Sequence, residues 1–405
     1  TMYQERERMN LRKRACLLVM LCVITVLLLA GCEENQSGIL RGCSEEDLLV
    51  RCNEIVSLYR DIFNSAEKLP PENRWDGATL SQQSINEIEA RLIENGLNII
   101  DSSEICPGYL TNVEEFRSFL DSVRGEKNAV QEVCAIDSTG ALEYRRFVQE
   151  GKNTYVYSMV CSLDGSDNES YAAHKIYGWT LTERDNFFYR INPEDDPHYQ
   201  NYALIRLQKP DETLWGLYNK YILAGGYTGT NIFLTDWTED SFTPLCFNDV
   251  WMYLYRYQAG NQFAADESRY DAERRCYWIP TEAFEEVLLP FFRLDAVQLR
   301  AAAGYDPEKG GYPWREIESN DYVIYLSYYR IEPEVTAFTD NADGTISMTV
   351  EALCTDLGMD CLFSHEVTVR PLGEDGFQFV SNRMLSQTEY GLPYCQPRLE
   401  WVDLG

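Results

Sequence analysis

The stretch AVQEVCAIDSTGALEYRRFVQEGKNTYVYSMVCSL, residues 129–163, decides the fold class of this chain. Val, Tyr, Phe and Cys recur in it with a period near two, and the clusters DSTG and EGKN interrupt the pattern as turns do. This alternation predicts strands at 129–136, 142–150 and 154–163. Because strands joined by tight turns run antiparallel, the stretch predicts the centre of an antiparallel meander.

Helices are predicted before this meander. Ser44 followed by Asp47 is a capping-box pattern, and apolar residues then recur at helical spacing. Thr111 with Glu114 predicts the start of another helix, and Gly125 predicts its end. The first half of the chain therefore places helices first and a meander second.

The second half repeats this order. Helices are predicted at 247–257 and 281–292, and strands separated by the turns NADG and GEDG follow them. We therefore predict an α+β fold with two helix-plus-antiparallel-meander, roll-like domains, an N-terminal one at 43–240 and a C-terminal one at 241–405. A linker is predicted near 238–243.

The first residues have a different composition. A basic segment, RKR, precedes an apolar run at 15–30, and the run ends in Leu29-Ala30-Gly31-Cys32. This ending resembles the bacterial prolipoprotein lipobox, which implies a signal peptide at 1–31 and a diacylglycerol on Cys32, with 32–42 as the lipidated tether. An uncleaved N-terminal membrane helix is the alternative. Both interpretations predict a location at the cell membrane, facing outside the cytoplasm.

The net charge of −30 limits the partners of this chain. Nucleic acid and anionic lipid surfaces repel such a protein, so no nucleic-acid partner is predicted. The acidic residues favour either a solvated surface or a cationic ligand. The predicted partners are the membrane, through the lipid on Cys32, and an unknown surface ligand that is a glycan, a peptide or a protein.

Cysteine and histidine patterns do not predict a metal site. Ten cysteines follow Cys32 without a C-x-x-C motif, and the chain has only three histidines. Cys354 and Cys361 flank a predicted hairpin turn, so a disulfide between them is possible. Most of the other cysteines are predicted to be buried thiols. No metal ion and no cofactor is predicted.

No motif identifies a catalytic residue. The glycine-rich segment 223–231 matches neither a dinucleotide fingerprint nor a P-loop, and we predict a structured turn there. His198 lies in an acidic loop and is predicted to be a solvated histidine. Among the tryptophans, Trp237 and Trp314 have polar, Gly or Pro neighbours, so they are predicted to be the most exposed and to be candidates for ring stacking.

Three stretches carry a resemblance to a known family: GYTGTNIFLTDW at 226–237, FNDVWMY at 247–253 and IPTEAFE at 279–285. They resemble an uncharacterised family of lipoproteins from clostridial, gut-dwelling Gram-positive bacteria. The resemblance implies a match over most of the chain after the leader, and it supports the predicted location and architecture. It supplies no catalytic residue.

These patterns favour a lipid-anchored extracytoplasmic protein that binds or scaffolds a surface ligand without catalysis. The first alternative is a surface hydrolase acting on glycan or peptidoglycan, which requires two carboxylates roughly 5–10 Å apart in an aromatic groove. The second alternative is a transport-associated solute receptor, which requires lobes built mainly of parallel strands.

Overall fold

The structure, a computed structural model, describes residues 43–69, 79–102, 108–163, 170–193, 202–227, 229–260, 263–315, 329–373, 376–393, 395 and 397–399. The signal peptide, the lipidated Cys32 and the tether predicted for 1–42 lie outside these residues. Within the described ranges, no helix combines the length and the apolar composition needed to cross a membrane.

The chain divides into two compact units. The N-terminal unit extends to Asp211 and includes Asp356–Gly358, and the C-terminal unit contains Glu212–Thr355 and the chain from Met359 onward. The elements of the N-terminal unit are α1 (Glu45–Ser57), α2 (Arg60–Ser65), β1 (Lys68–Leu69), β2 (Thr79–Leu80), α3 (Gln82–Glu94), β3 (Ile99–Ile100), α4 (Val113–Arg124), β4 (Ala129–Ile136), β5 (Leu142–Glu150), β6 (Asn153–Cys161), β7 (Ser170–Ile176), β8 (Gly178–Leu181), β9 (Asn186–Arg190) and β10 (Tyr202–Arg206).

A five-stranded sheet in the order β3-β4-β5-β6-β7 carries a core on each face. β3 runs parallel to β4, and the other pairs are antiparallel. Neighbouring residues of a strand point to opposite faces, so Val133 and Cys134 of β4 belong to different cores. Helices α1 and α3 cover the Cys134 face. Helix α4 and a second sheet, β10-β9-β8, cover the Val133 face.

The predicted helix starts have different outcomes. Ser44 and Asp47 form the predicted capping box at the start of α1. Thr111, in contrast, does not cap α4: Asn112 is the residue before the helix, and the Thr111 hydroxyl accepts a hydrogen bond from the backbone N–H of Ile99 (2.9 Å). The prediction at Thr111 was therefore wrong because a tertiary partner occupies the side chain.

The C-terminal unit contains α5 (Glu212–Leu217), a π-helical turn (Tyr218–Ile222), a 3₁₀ turn (Leu223–Gly225), β11 (Trp237–Thr238), α6 (Phe247–Ala259), a 3₁₀ turn (Glu267–Arg269), β12 (Tyr270–Asp271), β13 (Cys276–Pro280), α7 (Thr281–Leu288), α8 (Ala296–Ala302), β14 (Gly311–Trp314), β15 (Ile331–Asp340), β16 (Ile346–Cys354), β17 (Phe363–Leu372) and β18 (Gly376–Gln387). A five-stranded antiparallel sheet in the order β11-β18-β17-β16-β15 stands beside a small sheet in the order β12-β13-β14.

The segment from Glu212 to residue 240 packs with the C-terminal unit. Helix α5 packs on β15, and Trp237 pairs with Asn382 of β18, so the segment before residue 240 forms part of the C-terminal unit. The sequence lacked a signal for this placement because β11 is only two residues long. The predicted α+β class is confirmed, and each unit contains both helices and an antiparallel meander.

Candidate binding site

Trp237 and Trp314 are buried, which corrects their predicted exposure. Their exposed fractions are 3% and 1%. The indole N–H of Trp237 donates to the Ile232 carbonyl oxygen (2.7 Å), and the ring lies beside Phe242. Trp314 contacts Trp251 edge to face, with ring centroids 5.9 Å apart. Polar, Gly or Pro neighbours in sequence therefore do not report exposure here, because the packing partners are distant in the chain.

The small sheet instead carries an aromatic ladder, which we define as Tyr270, Tyr277 and Trp314. These residues lie directly opposite one another on β12, β13 and β14. The Tyr270 and Tyr277 ring centroids are 5.0 Å apart, and those of Tyr277 and Trp314 are 6.1 Å apart. Tyr270 is 46% exposed, and Tyr277 is half-buried. The ladder thus extends from the exposed Tyr270 to the buried Trp314, because residues that lie directly opposite each other on one sheet face are within contact distance.

Neighbouring side chains hold the ladder in place. The Tyr277 hydroxyl donates to Glu267 Oε1 (3.1 Å). Two residues before Trp314, and therefore on the same face of β14, Tyr312 stacks on Phe284 of α7 with ring centroids 4.1 Å apart. The Trp314 indole N–H is buried and has no hydrogen-bond partner among the residues that the structure describes. A buried donor of this kind is costly unless water or a ligand completes its bond.

The opposite face of the small sheet carries a charged cluster. The Trp278 indole N–H donates to Asp271 Oδ2 (3.2 Å), and Lys309 Nζ lies 3.2 Å from the same oxygen. The guanidinium of Arg274 lies 5.3 Å from the Trp278 ring centroid. The hydrogen bond from Trp278, the backbone N–H of Arg274 and Lys309 lower the pKa of Asp271 to about 2. Asp271 is therefore a permanent acceptor at neutral pH and not a general acid.

Carboxyl groups with a raised pKa lie in the other unit. Burial raises the pKa of Glu89 to about 7, although the backbone N–H and hydroxyl of Ser102 both donate to Glu89 Oε1 (3.0 and 2.5 Å). Burial also raises the pKa of Asp137, which accepts from Thr139 and Ala141 in the β4–β5 turn. Among the described residues, these protonatable carboxyl groups are in the N-terminal unit, whereas the aromatic ladder is in the C-terminal unit.

His365 is buried in a hydrogen-bond chain. Asn382 donates from Nδ2 to the Thr235 carbonyl oxygen (2.8 Å), which directs its Oδ1 toward His365 Nδ1 (2.7 Å). Because Oδ1 only accepts, Nδ1 carries the proton, and Nε2 accepts from the Tyr227 hydroxyl (3.1 Å). Burial lowers the pKa of His365 to about 4. A neutral, fully bonded histidine of this kind stabilises the core.

The other described histidine, His174, belongs to the other unit. His174 lies on β7 of the N-terminal unit, and burial lowers its pKa. His198 lies outside the described residues, so its predicted solvation stays a prediction. Within the described residues, no group of three or more His, Cys, Asp or Glu side chains is arranged to hold a metal ion.

The predicted Cys354–Cys361 pair flanks a tight turn. The backbone of Cys354 pairs with Met359, through Cys354 N to Met359 O at 2.8 Å. Met359, not Cys361, therefore lies opposite Cys354. The Cys361 thiol donates to the Phe363 carbonyl oxygen (3.3 Å). The disulfide between these cysteines stays a prediction.

The glycine-rich segment packs closely around one ring. A Cβ at Gly226, whose φ is +67°, would lie 2.2 Å from the Tyr253 ring, and one at Gly229 would lie 1.8 Å from the Tyr253 hydroxyl. A larger residue at either place would collide with the half-buried Tyr253 side chain unless that side chain moved. The segment thus makes room for α6, in agreement with a structured turn.

The ladder is the described feature best suited to contact a ligand. Its exposed end offers two tyrosine faces, and Glu267 lies beside Tyr277, whereas Asp271 and Arg274 belong to the charged cluster on the opposite face. Rings of this kind stack on sugars, on apolar side chains or on other rings. The signal in the sequence is the segment YDAERRCYW at 270–278, in which tyrosines flank a charged turn. It escaped prediction because β12 is two residues long, too short to show a period.

Comparison with known proteins adds a family. The family described as "Family of unknown function (DUF6070)" matches residues 45–398. This confirms the expected match to an uncharacterised family over most of the chain. No curated protein and no solved structure matches.

Proposed function

We propose that this chain, which belongs to the DUF6070 family of unknown function, is a lipid-anchored protein on the outer side of the cell membrane that binds a surface ligand without catalysis. The observation that carries the proposal is the aromatic ladder, with Tyr270 exposed and Trp314 buried. The buried Trp314 holds the ladder in place, so the ring of Tyr270 at its exposed end has a fixed orientation. A fixed ring costs little conformational entropy when a ligand stacks on it.

Two observations favour binding over the alternatives. A glycoside hydrolase needs a carboxylic acid with a raised pKa next to its sugar site. Asp271, close to the ladder, has instead a lowered pKa, and Glu89 with its raised pKa belongs to the other unit. Both large sheets are mainly antiparallel, which disfavours the receptor lobes of parallel strands.

Tyr270→Ala tests the proposal. The purified chain is applied to a glycan array and to surface-protein and peptide pulldowns, with hydrolysis assayed in parallel. We expect one ligand class to be retained, and Tyr270→Ala to weaken its binding roughly two- to tenfold, the effect of losing one stacking ring. Tyr177→Ala is the matched control, because Tyr177 is 49% exposed and lies in the N-terminal unit.

Equal losses in the two variants would reject the ladder as the contact surface, and robust turnover of a glycan would reject the non-enzymatic role. The anchor has its own test. Cys32→Ser should abolish incorporation of labelled palmitate and release the chain from membranes, since two acyl chains give stable anchoring and none gives almost no affinity.

A further inference from the structure

Four thiols of the N-terminal unit, those of Cys43, Cys52, Cys134 and Cys161, share one core. Cys43 lies just before the start of α1, and its separation of nine residues from Cys52 spans about 13 Å along a helix, too far for a disulfide between these two. Cys52 lies on α1, Cys134 on β4 and Cys161 at the end of β6, and all three are buried between the sheet and helices α1 and α3. In such a core a thiol packs as a small apolar group. Their mutual geometry decides whether any two of them can react.

Cys52 and Cys161 lie next to each other in this core, where helix α1 packs on β6, and a hydrogen-bond interaction with Cys161 is the largest influence on the pKa of the Cys52 thiol. The contact is a tertiary one: α1 packs across β5 and β6, and this brings a residue near the start of the unit against the end of β6. Two sulfur atoms in contact need only a small rearrangement to reach the bonding distance of a disulfide, about 2 Å.

Cys134 is excluded as a partner of Cys161 by the sheet itself. Cys134 lies opposite Tyr144 on one side of β5, and Cys161 lies opposite Leu142 on its other side. Two strand spacings amount to about 9–10 Å, whereas a disulfide requires a Cα separation of roughly 4.4–6.8 Å. Cys161 therefore cannot pair with Cys134, and the neighbouring helix residue Cys52 is its partner.

We propose that Cys52 and Cys161 form a disulfide that ties helix α1 to strand β6 when the chain folds in an oxidising compartment. The inference rests on the proposed function only for the extracytoplasmic location, where disulfides form and persist. The cross-link encloses most of the N-terminal unit, because α1 begins that unit and only β7–β10 follow β6 among its described elements. Closing so long a loop constrains the unfolded chain strongly.

The chemistry requires a disulfide oxidant, such as oxidised glutathione or a protein disulfide. One thiol loses its proton and attacks a sulfur of oxidised glutathione, which forms a mixed disulfide and releases one glutathione thiolate. The second protein thiolate then attacks the protein sulfur of the mixed disulfide, which forms the Cys52–Cys161 bond and releases the second thiolate. Two protein thiols lose two electrons, the oxidant gains them, and the two protons end on two molecules of glutathione.

The raised pKa of the Cys52 thiol determines at which stage of folding the disulfide can form. The hydrogen bond to Cys161 and burial raise the pKa of the Cys52 thiol far above its ordinary value. Because the thiolate is the reactive form, the packed pair exchanges slowly in both directions. Oxidation therefore belongs to the stage at which α1 docks on the sheet, and reduction of the finished bond requires the unit to open.

The test uses the full chain, unfolded and reduced, then refolded in a buffer of reduced and oxidised glutathione. Remaining thiols are alkylated under denaturing conditions, and the non-reduced digest is analysed by mass spectrometry. We expect a linked peptide pair containing Cys52 and Cys161. The Cys134→Ala variant should keep this pair, and Cys161→Ala should lose it. Alkylation of both cysteines in the wild type, or a Cys52–Cys134 link, would overturn the proposal.

A second readout does not depend on any variant folding. The oxidised wild type should unfold roughly 10 °C higher than the reduced wild type in the peptides of the N-terminal unit, as followed by hydrogen exchange. An unchanged midpoint would reject a cross-link that encloses this unit. If the bond forms in the purified chain but Cys32 takes up no palmitate, the proposed location is rejected and the proposed disulfide is kept. If palmitate is incorporated and the bond does not form, the disulfide is rejected and the location is kept.

Discussion

The two units share a plan, a five-stranded sheet with a three-stranded sheet and helices, yet they bury different ionisable groups. The N-terminal unit buries the carboxyl of Glu89, whose pKa is raised to about 7, and the C-terminal unit buries the imidazole of His365, whose pKa is lowered to about 4. In both cases burial favours the uncharged form. The comparison teaches that the burial of a carboxyl group and the burial of an imidazole make stability respond to pH in opposite directions.

Each unit also has a buried arginine beside a carboxylate. Arg145 and Glu143 are ion-paired on one face of β5, two residues apart. Arg398 near the chain end lies over Asp249 of α6, with Nε 3.8 Å from Oδ1, and its Nη2 donates to the Gly229 carbonyl oxygen (3.3 Å). The first pair joins two residues of the same strand, β5. The second pair joins residues that are far apart in sequence, so it holds the segment around Arg398 against α6.

The largest expected effect comes from breaking one of these pairs. Arg145→Ala leaves Glu143 as an unpaired buried charge, so we expect a loss of about 3–5 kcal/mol in the free energy of unfolding of the N-terminal unit. Arg383→Ala is the matched control, because Arg383 pairs with Glu366 but its side chain is 63% exposed, and we expect a change of less than about 1 kcal/mol. Urea unfolding followed by hydrogen exchange in the peptides of each unit measures both values. A loss under 1 kcal/mol for Arg145→Ala would contradict the role of the pair.

A pH series sharpens the comparison. The folded pKa of Glu89, about 7, lies above its ordinary value of 4.5. The contribution of Glu89 to the free energy of unfolding is therefore complete below pH 4.5 and is lost as the pH rises to 7. The folded pKa of His365, about 4, lies below its ordinary value of 6.5. The contribution of His365 to the free energy of unfolding is therefore complete above pH 6.5 and is lost as the pH falls to 4. Each shift corresponds to about 3 kcal/mol.

The variants Glu89→Gln and His365→Gln isolate these two terms. The difference in unfolding free energy between wild type and Glu89→Gln should change between pH 4.5 and 7 in the N-terminal unit. The corresponding difference for His365→Gln should change between pH 6.5 and 4 in the C-terminal unit, and in the opposite direction. If both differences are flat over pH 4–7, the burial of these groups does not control stability.

The smallest expected effect is one that should be equal in the two units. Ser44 with Asp47 caps α1, and Asp295 with Gln298 caps α8, each as a capping box. We expect Ser44→Ala and Asp295→Ala each to cost about 1 kcal/mol, because each leaves one helix N–H group without its side-chain acceptor. Thermal unfolding monitored unit by unit checks this. A cost in one unit alone would show that the caps are not equivalent.

The meander of the N-terminal unit was predicted nearly residue by residue. The strands predicted at 129–136 and 142–150 match β4 (Ala129–Ile136) and β5 (Leu142–Glu150). Asp137 and Gly140 form the turn between them. Period, turn residues and caps act over a few neighbouring residues, so they can be recognised without knowledge of the fold.

The small sheet and its aromatic ladder were not predicted. Tyr270 and Tyr277 are separated by a turn, and their third partner, Trp314, follows only after α7 and α8. Exposure of the tryptophans was predicted from neighbours in sequence, yet Trp314 is buried against Trp251 and Phe263, which are distant from it in the chain. Such contacts depend on which elements meet, and local composition does not record this.

The amino-acid sequence by itself determined the α+β class, the order of helices before meanders and the start of α1, since each rests on interactions between residues close in the chain. Only the tertiary structure decided where the units divide, which rings form the ladder and which thiols meet. Those depend on the packing of distant segments: β11 pairs with β18, Tyr277 lies opposite Trp314, and α1 brings Cys52 to Cys161. The energy that selects them is the burial of apolar surface, which is non-directional and acts on whole elements.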